Sequence, residues 1–408
     1  MTKCNKVLLV HNHYQQRGGE DAVVGAEREM LITHGITVNF FGKHNDEIGQ
    51  LSHIQLAVTT FWSSIIANEF ETLILRTEPD VIHVHNTFPL ISPSLYWAAA
   101  RAGVPIIQTL HNFRLACPQA MFLRNGKVCE DCLGNIPWRS VWHGCYRNSR
   151  LQSAVLAGML TFHRAIHTWD SKVTRYIALN DFCRNKFIEA GLPPERIVVK
   201  PNFVDFPAPE VGARNGFLFV GRLSTEKGLE VLVQAMAVLE GAALRVAGTG
   251  PESHRLAGVA GLVPLGALSG DNIRLEMVAS AALILPSIWY ENFPRTLVEA
   301  FACGLPVIAS RIGALAELVK DGVTGLLFEP GNANDLANKM RWAQQHPDEM
   351  ATMGLNARKQ YEAEFTADRN YHQLMAIYAD AIAEVKGYSL FVFLPLCTLV
   401  NPFVSLCV

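Results

Sequence analysis

Short apolar, β-branched runs recur along this chain at helix-length intervals, and they do so in two separate series. Lys6–Val10, Val38–Phe41, Asp80–His85, Val104–Leu110, Val173–Leu179 and Ile197–Lys200 form the first series. Gly216–Val220, Ala243–Ala247, Ala282–Leu285, Pro306–Ala309 and Gly325–Phe328 form the second. Apolar runs bounded by glycine and proline and separated by helical stretches are the pattern of a mostly parallel sheet covered on both faces. Pro201, Pro207, Pro209, Gly212 and Gly216 break the two series apart and mark the best linker in the chain. The expected fold class is therefore α/β, with two doubly wound, Rossmann-like domains facing each other across a cleft. Helices are expected at 20–34, 226–239, 271–280, 294–303, 314–320 and 333–345, with two more, 348–362 and 367–386, closing the chain.

This pattern predicts residues 1–203 as a first domain with an insertion at 112–150, and 204–366 as a second. A closing helix follows at 367–387 and an uncharged tail at 388–408. Lys+Arg 35 against Asp+Glu 37 gives a net charge of −2, which argues against a general nucleic-acid binder. The N-terminus leads into only four apolar residues, Val7 to Val10, so a cytoplasmic protein is expected. The tail is long and apolar enough to span a bilayer, but Pro395 and Pro402 interrupt it. A membrane anchor and an end foreign to the folded domain both fit it.

In the second series, Gly221-Arg222-Leu223-Ser224-Thr225-Glu226-Lys227-Gly228 follows a strand and opens a helix. Two cations at a strand end beside a helix N-terminus suit a diphosphate, although a solvated basic pair would look the same. Gly248-Thr249-Gly250-Pro251 also follows a strand, but Ser253 stands where a dinucleotide fingerprint needs its third glycine, which disfavours a dehydrogenase. Gly250 remains a plausible tight turn for a nucleotide to approach. The strongest signal is the run from Pro286 to Ala300. It places Glu291 in a loop, Pro294 at the first helical position, and Glu299 about two turns into the helix.

Glu291-x7-Glu299, Gly-Arg-x4-Lys-Gly, and Gly313-x3-Glu317 followed by Gly322-x2-Gly325 occur together and in order. With them the chain resembles the retaining glycosyltransferases of family 4, which have the GT-B fold, over roughly residues 6–386. The resemblance implies that Arg222 and Lys227 bind the donor diphosphate and that Glu291 contacts hydroxyls of the transferred sugar. Asn292 and Phe293 would offer backbone amides, and Glu299 would hold the ribose. Leu268, in Leu265-Gly266-Ala267-Leu268, belongs to the strip that meets the base. Gly18 and Gly19 match the Gly-rich loop beside phosphates and acceptor, and His111 matches the cleft histidine near the sugar. Pro201-Asn202-Phe203-Val204-Asp205 departs from the family's Pro-Asn-Gly-Val-Asp in one residue.

The implied activity is transfer of a hexose from a nucleotide-diphosphate sugar with retention of configuration and no metal required for catalysis. His111, Arg222, Lys227 and Glu291 are the expected catalytic group. No carboxylate of the first domain stands out as a nucleophile, so a front-face transfer within one ion pair is expected. A nucleotide-sugar epimerase and a non-catalytic scaffold on the same fold are the alternatives.

The insertion carries Cys117, Cys129, Cys132 and Cys145, which are compatible with a structural zinc site, with buried thiols or with a redox pair. Arg139, Arg147, Arg150 and Arg164 alternate with Trp138, Trp142, Tyr146 and Trp169. That surface suits a lipid-linked or saccharide acceptor and peripheral contact with the inner face of a membrane, unless these aromatics are core. With the family, it points to assembly of a surface polysaccharide, such as a lipopolysaccharide, or of a lipid-linked oligosaccharide.

Overall fold

The structure is a computed structural model that describes residues 4–16, 18–207 and 212–392. The first sheet contains β1 (Lys6–His13), β2 (Thr37–His44), β3 (Val81–Asn86) and β4 (Ile106–Thr109). A small hairpin of β5 (Leu123–Arg124) and β6 (Lys127–Val128) interrupts it before β7 (Arg175–Ala178) and β8 (Ile197–Val199) complete it. The second sheet holds β9 (Phe217–Val220), β10 (Leu244–Ala247), β11 (Leu262–Gly266), β12 (Ala282–Leu285), β13 (Val307–Ser310) and β14 (Gly325–Phe328).

The strand orders are β2-β1-β3-β4-β7-β8 and β11-β10-β9-β12-β13-β14, and the pairings within both sheets are parallel. This is the α/β, two-domain architecture of the GT-B fold. Alternate residues of β1 enter opposite layers, Leu8 and Val10 on one face and Val7 and Leu9 on the other. Phe217 and Phe219 likewise oppose Leu218 and Val220 on β9. Burial on both faces explains why these strands read as unbroken apolar runs.

Two segments depart from the expected pattern. β11 is missing from the expected strands because three of its five residues are exposed and Pro264 lies within it; an edge strand tolerates both. Pro294 caps the helix Arg295–Ala302 in extended conformation and is not its first helical residue.

The last helix, Ala367–Val392, returns to the first domain. Leu374, Tyr378, Ala381 and Ile382 are buried there against Val7, Leu9 and Ile107, and His34 stacks on Tyr371 at 3.8 Å. Burying large apolar side chains is worth roughly 1.5–3 kcal/mol each, so this helix is a structural layer of the first domain. Most of the predicted tail lies outside the described residues. Among the described residues, no helix is long and apolar enough to cross a membrane.

Candidate active site

In doubly wound sheets, ligands bind beyond the strand C-termini where the strand order reverses. In the second domain the reversal falls at β9 and β12. The loops that leave these strands are Gly221–Gly228 and Pro286–Pro294. In the first domain the loops after β1 and β4 carry Gly18-Gly19 and His111. All four meet in one cleft of about 670 Å³.

Gly18, Gly19, His111, Arg222, Lys227, Leu268, Glu291, Asn292 and Phe293 line it. Gly250 and Glu299 do not. Gly250 is tied into its turn through Ser253, while its neighbours Gly248 and Thr249 reach the cleft. Glu299 is nearly buried and held by Arg295 Nε at 2.8 Å, with burial pushing its carboxyl up.

Two glycines allow the loops to come this close. Gly228 has φ +75, and a Cβ there would meet the Pro286 carbonyl oxygen at 1.7 Å. Gly248 has φ +144, and its Cβ would meet the Gly221 carbonyl oxygen at 1.9 Å. Only glycine fits either position without moving backbone.

Glu291 is the electrostatic centre of the second-domain wall. One oxygen, Oε1, accepts from Lys227 Nζ at 2.6 Å, Ser287 Oγ at 2.7 Å and Trp289 Nε1 at 3.0 Å. Burial alone would push this carboxyl up, but Lys227 and the other donors outweigh it and the net shift is downward. Glu291 therefore stays ionised. Arg222 is exposed on the same wall and has no carboxylate partner among the described residues. With the Lys227–Glu291 pair already neutralised, Arg222 leaves this wall a positive balance among the described residues, which suits an incoming anion.

Asn292 closes the domains on each other. Its Nδ2 donates to the Leu110 carbonyl at 2.6 Å, next to His111. Its own carbonyl accepts from Asn180 Nδ2, and Cys183 Sγ contacts its side-chain oxygen. Glu317 supports the same junction by accepting from the backbone amides of Asp181 at 3.0 Å and Phe182 at 2.7 Å, the first turn of the helix Asp181–Glu189.

Behind His111 runs a buried polar chain. His111 Nε2 meets His85 Nδ1 at 2.9 Å, and His85 Nε2 lies 3.3 Å from Glu27 Oε1. Glu27 also faces His83 Nδ1 at 2.9 Å and Lys200 Nζ at 3.4 Å. Burial would raise the Glu27 carboxyl, yet His83 and Lys200 hold it well below the usual range. Burial, with His83 adding to it, pushes His85 down to about 3, and burial with His85 lowers His111. Both imidazoles are therefore neutral. In the His85–His111 contact one ring nitrogen donates and the other accepts, while His85 Nε2 and Glu27 Oε1 are buried without a hydrogen-bond partner among the described residues. The long separations between Glu27, His85 and Lys200 in sequence gave no local signal for this chain.

Glu20, also missed, lines the cleft directly after Gly18-Gly19. Its Oε2 accepts from Tyr14 OH at 3.0 Å and from Asn112 Nδ2 at 3.5 Å. The adjacent Asp21 has a different task. It accepts from the Gly18 amide at 2.9 Å and from His11 Nε2 at 2.9 Å, fixing the start of the helix Gly19–Thr33.

In the insertion, Cys132 lies within electrostatic reach of Cys117, Cys129 and Cys145, and all four are free thiols. Among the described residues, no three of these sulfurs come within 4.8 Å of one another. Trp169 is buried, but Trp138 and Trp142 are 59% and 67% exposed.

Comparison with known proteins gives the chain its family. The family described as glycosyl transferases group 1 matches residues 204–360, and glycosyltransferase family 4 matches 60–206. An uncharacterized glycosyltransferase of Methanocaldococcus jannaschii is 30% identical over 343 residues, covering 82% of this chain and 92% of that protein. The chain belongs to the glycosyltransferases of family 4 type. This glycosyltransferase is also 26% identical to the D-inositol 3-phosphate glycosyltransferase of Thermobifida fusca, over 90% of each chain. The crystal structure of Anabaena HepE in complex with UDP and glucose matches the transferase with a TM-score of 0.66. It is 20% identical and covers 92% of this chain and 99% of its own. Sucrose-phosphate synthase from Thermosynechococcus elongatus gives 0.69, at 19% identity and 93% and 100% coverage.

Proposed function

We propose that this glycosyltransferase moves a hexosyl group from a nucleoside-diphosphate sugar to a saccharide or lipid-linked acceptor, with retention at the anomeric carbon, in surface glycan assembly. The observation that carries this reading is one wall of the cleft, where Arg222, without a carboxylate partner among the described residues, shares the lining with Lys227 and the ionised Glu291. Arg222 and Lys227 stabilise the departing diphosphate where negative charge grows. Glu291 accepts from sugar hydroxyls, and neutral His111 faces the sugar from the opposite wall. The complexes of HepE with UDP and with UDP-glucose support a uridine donor.

The acceptor side rests on the exposed Trp138, Trp142, Ile136 and Leu151, with Arg139 and Arg150 over the two indoles at 5.7 and 5.8 Å. Indoles flanked by cations suit an anionic membrane interface. We also propose a zinc ion on Cys117, Cys129, Cys132 and Cys145. As thiolates these four residues would hold the ion, which would staple the insertion. The convergence of the four thiols in a segment rich in left-handed residues (Ala120, Phe122, Asn125, Arg147, Asn148) supports it.

Thermal denaturation against UDP, GDP, ADP and their sugars tests the donor reading. A ligand at 100 times its Kd stabilises the fold by about 2.7 kcal/mol. The expected result is stabilisation by one nucleotide series, weakened roughly 10- to 100-fold in affinity by Lys227→Ala, as loss of a charge-assisted contact predicts. Absence of binding by every member would overturn it. Nucleotide release that requires an added acceptor separates transfer from epimerisation.

A further inference from the structure

Two histidines at the end of β1 and one aspartate on the next helix converge outside the cleft. His11 and His13 are two residues apart on one strand and therefore share a face. Asp21 lies in the first turn of the helix Gly19–Thr33. Its Oδ1 is 2.9 Å from His11 Nε2 and 3.1 Å from His13 Nδ1, and the three atoms all fall within 4.8 Å of one another. The Gly18 amide takes Oδ2 at 2.9 Å, so the helix start does not need Oδ1, which otherwise meets only the Tyr14 amide at 3.4 Å. The side chains of His11 and Asp21 are buried, whereas that of His13 is 36% exposed. His13 and Asp21 open onto a cavity of about 320 Å³, lined also by Tyr14, Phe40, His44 and the exposed Arg28.

Hydrogen bonding alone leaves this cluster unbalanced. If His11 donates from Nε2 to Asp21, its Nδ1 keeps a buried lone pair. That nitrogen has no hydrogen-bond partner among the described residues, and neither has Glu20 Oε1, 4.0 Å away. Two buried acceptors then face each other, which is costly. A metal ion on Nε2 inverts the arrangement. The neutral imidazole then carries its proton on Nδ1, on the side of Glu20 Oε1. A carboxylate behind a metal-bound histidine is the usual outer-shell pattern.

We propose that His11 Nε2, His13 Nδ1 and Asp21 Oδ1 bind a divalent first-row transition metal ion, with Glu20 as the outer-shell acceptor and water from the cavity completing the coordination. Two imidazole nitrogens and one carboxylate oxygen suit zinc, cobalt(II) or nickel(II), whereas magnesium and calcium take oxygen ligands. Asp21 and Glu20 together offer two negative charges against the two of the ion. Arg28 opposes it, but its guanidinium is exposed, screened by solvent, and lies 5.9 Å from the Phe40 ring centroid. Three ligands and an open position hold an ion less firmly than four thiolates, so this site fills from added metal. The ion pins the turn from β1 into the first helix, which carries Gly18 and Gly19 to the cleft. The site is independent of the donor reading.

The test titrates cobalt(II) into the full chain carrying Cys129→Ser/Cys132→Ser, where absorption tells imidazole from thiolate ligands. One equivalent should bind, with visible d–d bands and no thiolate-to-cobalt charge-transfer band, and the first-domain transition should move to higher temperature. Adding Glu20→Gln to this chain should weaken cobalt binding roughly 10- to 100-fold, as loss of an outer-shell partner does. Adding His13→Ala should weaken it further. His13 is partly exposed, so that variant should fold, which calorimetry without metal checks. No cobalt binding, a spectrum carried by thiolate charge transfer, or an affinity unchanged by either added substitution would overturn the proposal. Each of these results leaves the donor reading standing.

Discussion

Lys200→Met isolates the energetics of the buried chain behind the cleft. Lys200 and Glu27 are each 2% exposed at the side chain, with Nζ 3.4 Å from Oε2. At an effective dielectric of about 20, two unit charges at that distance attract by about 5 kcal/mol. Removing one partner of a buried pair typically costs about 3–5 kcal/mol, because the remaining charge is left uncompensated. For a domain of this size about 1 kcal/mol moves Tm by roughly 2–4 °C, so the first-domain transition should fall by roughly 6–20 °C. Differential scanning calorimetry reads that transition. The double variant Glu27→Gln/Lys200→Met has no buried charge left to compensate, so it should recover more than half of the loss. The sign of the pH dependence follows from Glu27. Its folded carboxyl lies below the ordinary value of 4.5, so its contribution is present above that value and is lost as pH falls through the folded one. The gap between wild type and Glu27→Gln should therefore narrow in acid. A Lys200→Met shift under about 2 °C, or a double variant no more stable than the single one, would refute the reasoning.

Gly228→Ala should destabilise the second domain by more than about 3 kcal/mol, since a left-handed residue gains a Cβ against the Pro286 carbonyl; calorimetry and donor binding should fall together. Asn292→Ala leaves the Leu110 carbonyl without its donor, at a cost of about 1–3 kcal/mol. Hydrogen exchange should then increase at the domain junction and donor KM should rise more than kcat falls. Protein purified in reducing buffer without chelators should carry one zinc per chain, and Cys129→Ser/Cys132→Ser should carry none. A metal-free wild-type protein would remove the zinc proposal.

Most of the fold was legible because parallel strands are buried on both faces, which writes them as apolar runs bounded by glycine and proline. The pattern fails where burial fails. Leu262–Gly266 sits at a sheet edge with exposed residues and a proline, and the hairpin at 123–128 is too short to show any period. The gathering of Arg222, Lys227 and Glu291 in one cleft was legible because these residues cluster in two loops, each following one strand. Its finer geometry was not. Whether Glu299 reaches the cleft depends on Arg295, four residues before it, which binds the carboxylate first. Asn292 was read for its backbone amide, whereas its side chain spans to the other domain, 182 residues away in sequence. Glu20 follows directly on the glycine pair, yet only the three-dimensional packing of Tyr14 and Asn112 distinguishes it from its neighbour Asp21.

The return of the last helix to the first domain has a mechanical consequence. The chain passes between the domains twice, once after Lys200 and once before Ala367. The two passages are stitched side by side, since Lys200 Nζ donates to Asn370 Oδ1 at 3.0 Å and Asn370 Nδ2 to the Pro201 carbonyl at 2.7 Å. A single tether would let the halves swivel in any direction, whereas two tethers fastened together behave like the spine of a book. The covers can open and shut along one line, and the loops that carry Glu20 and Lys227 meet on facing pages. Severing the first passage alone would leave the volume bound.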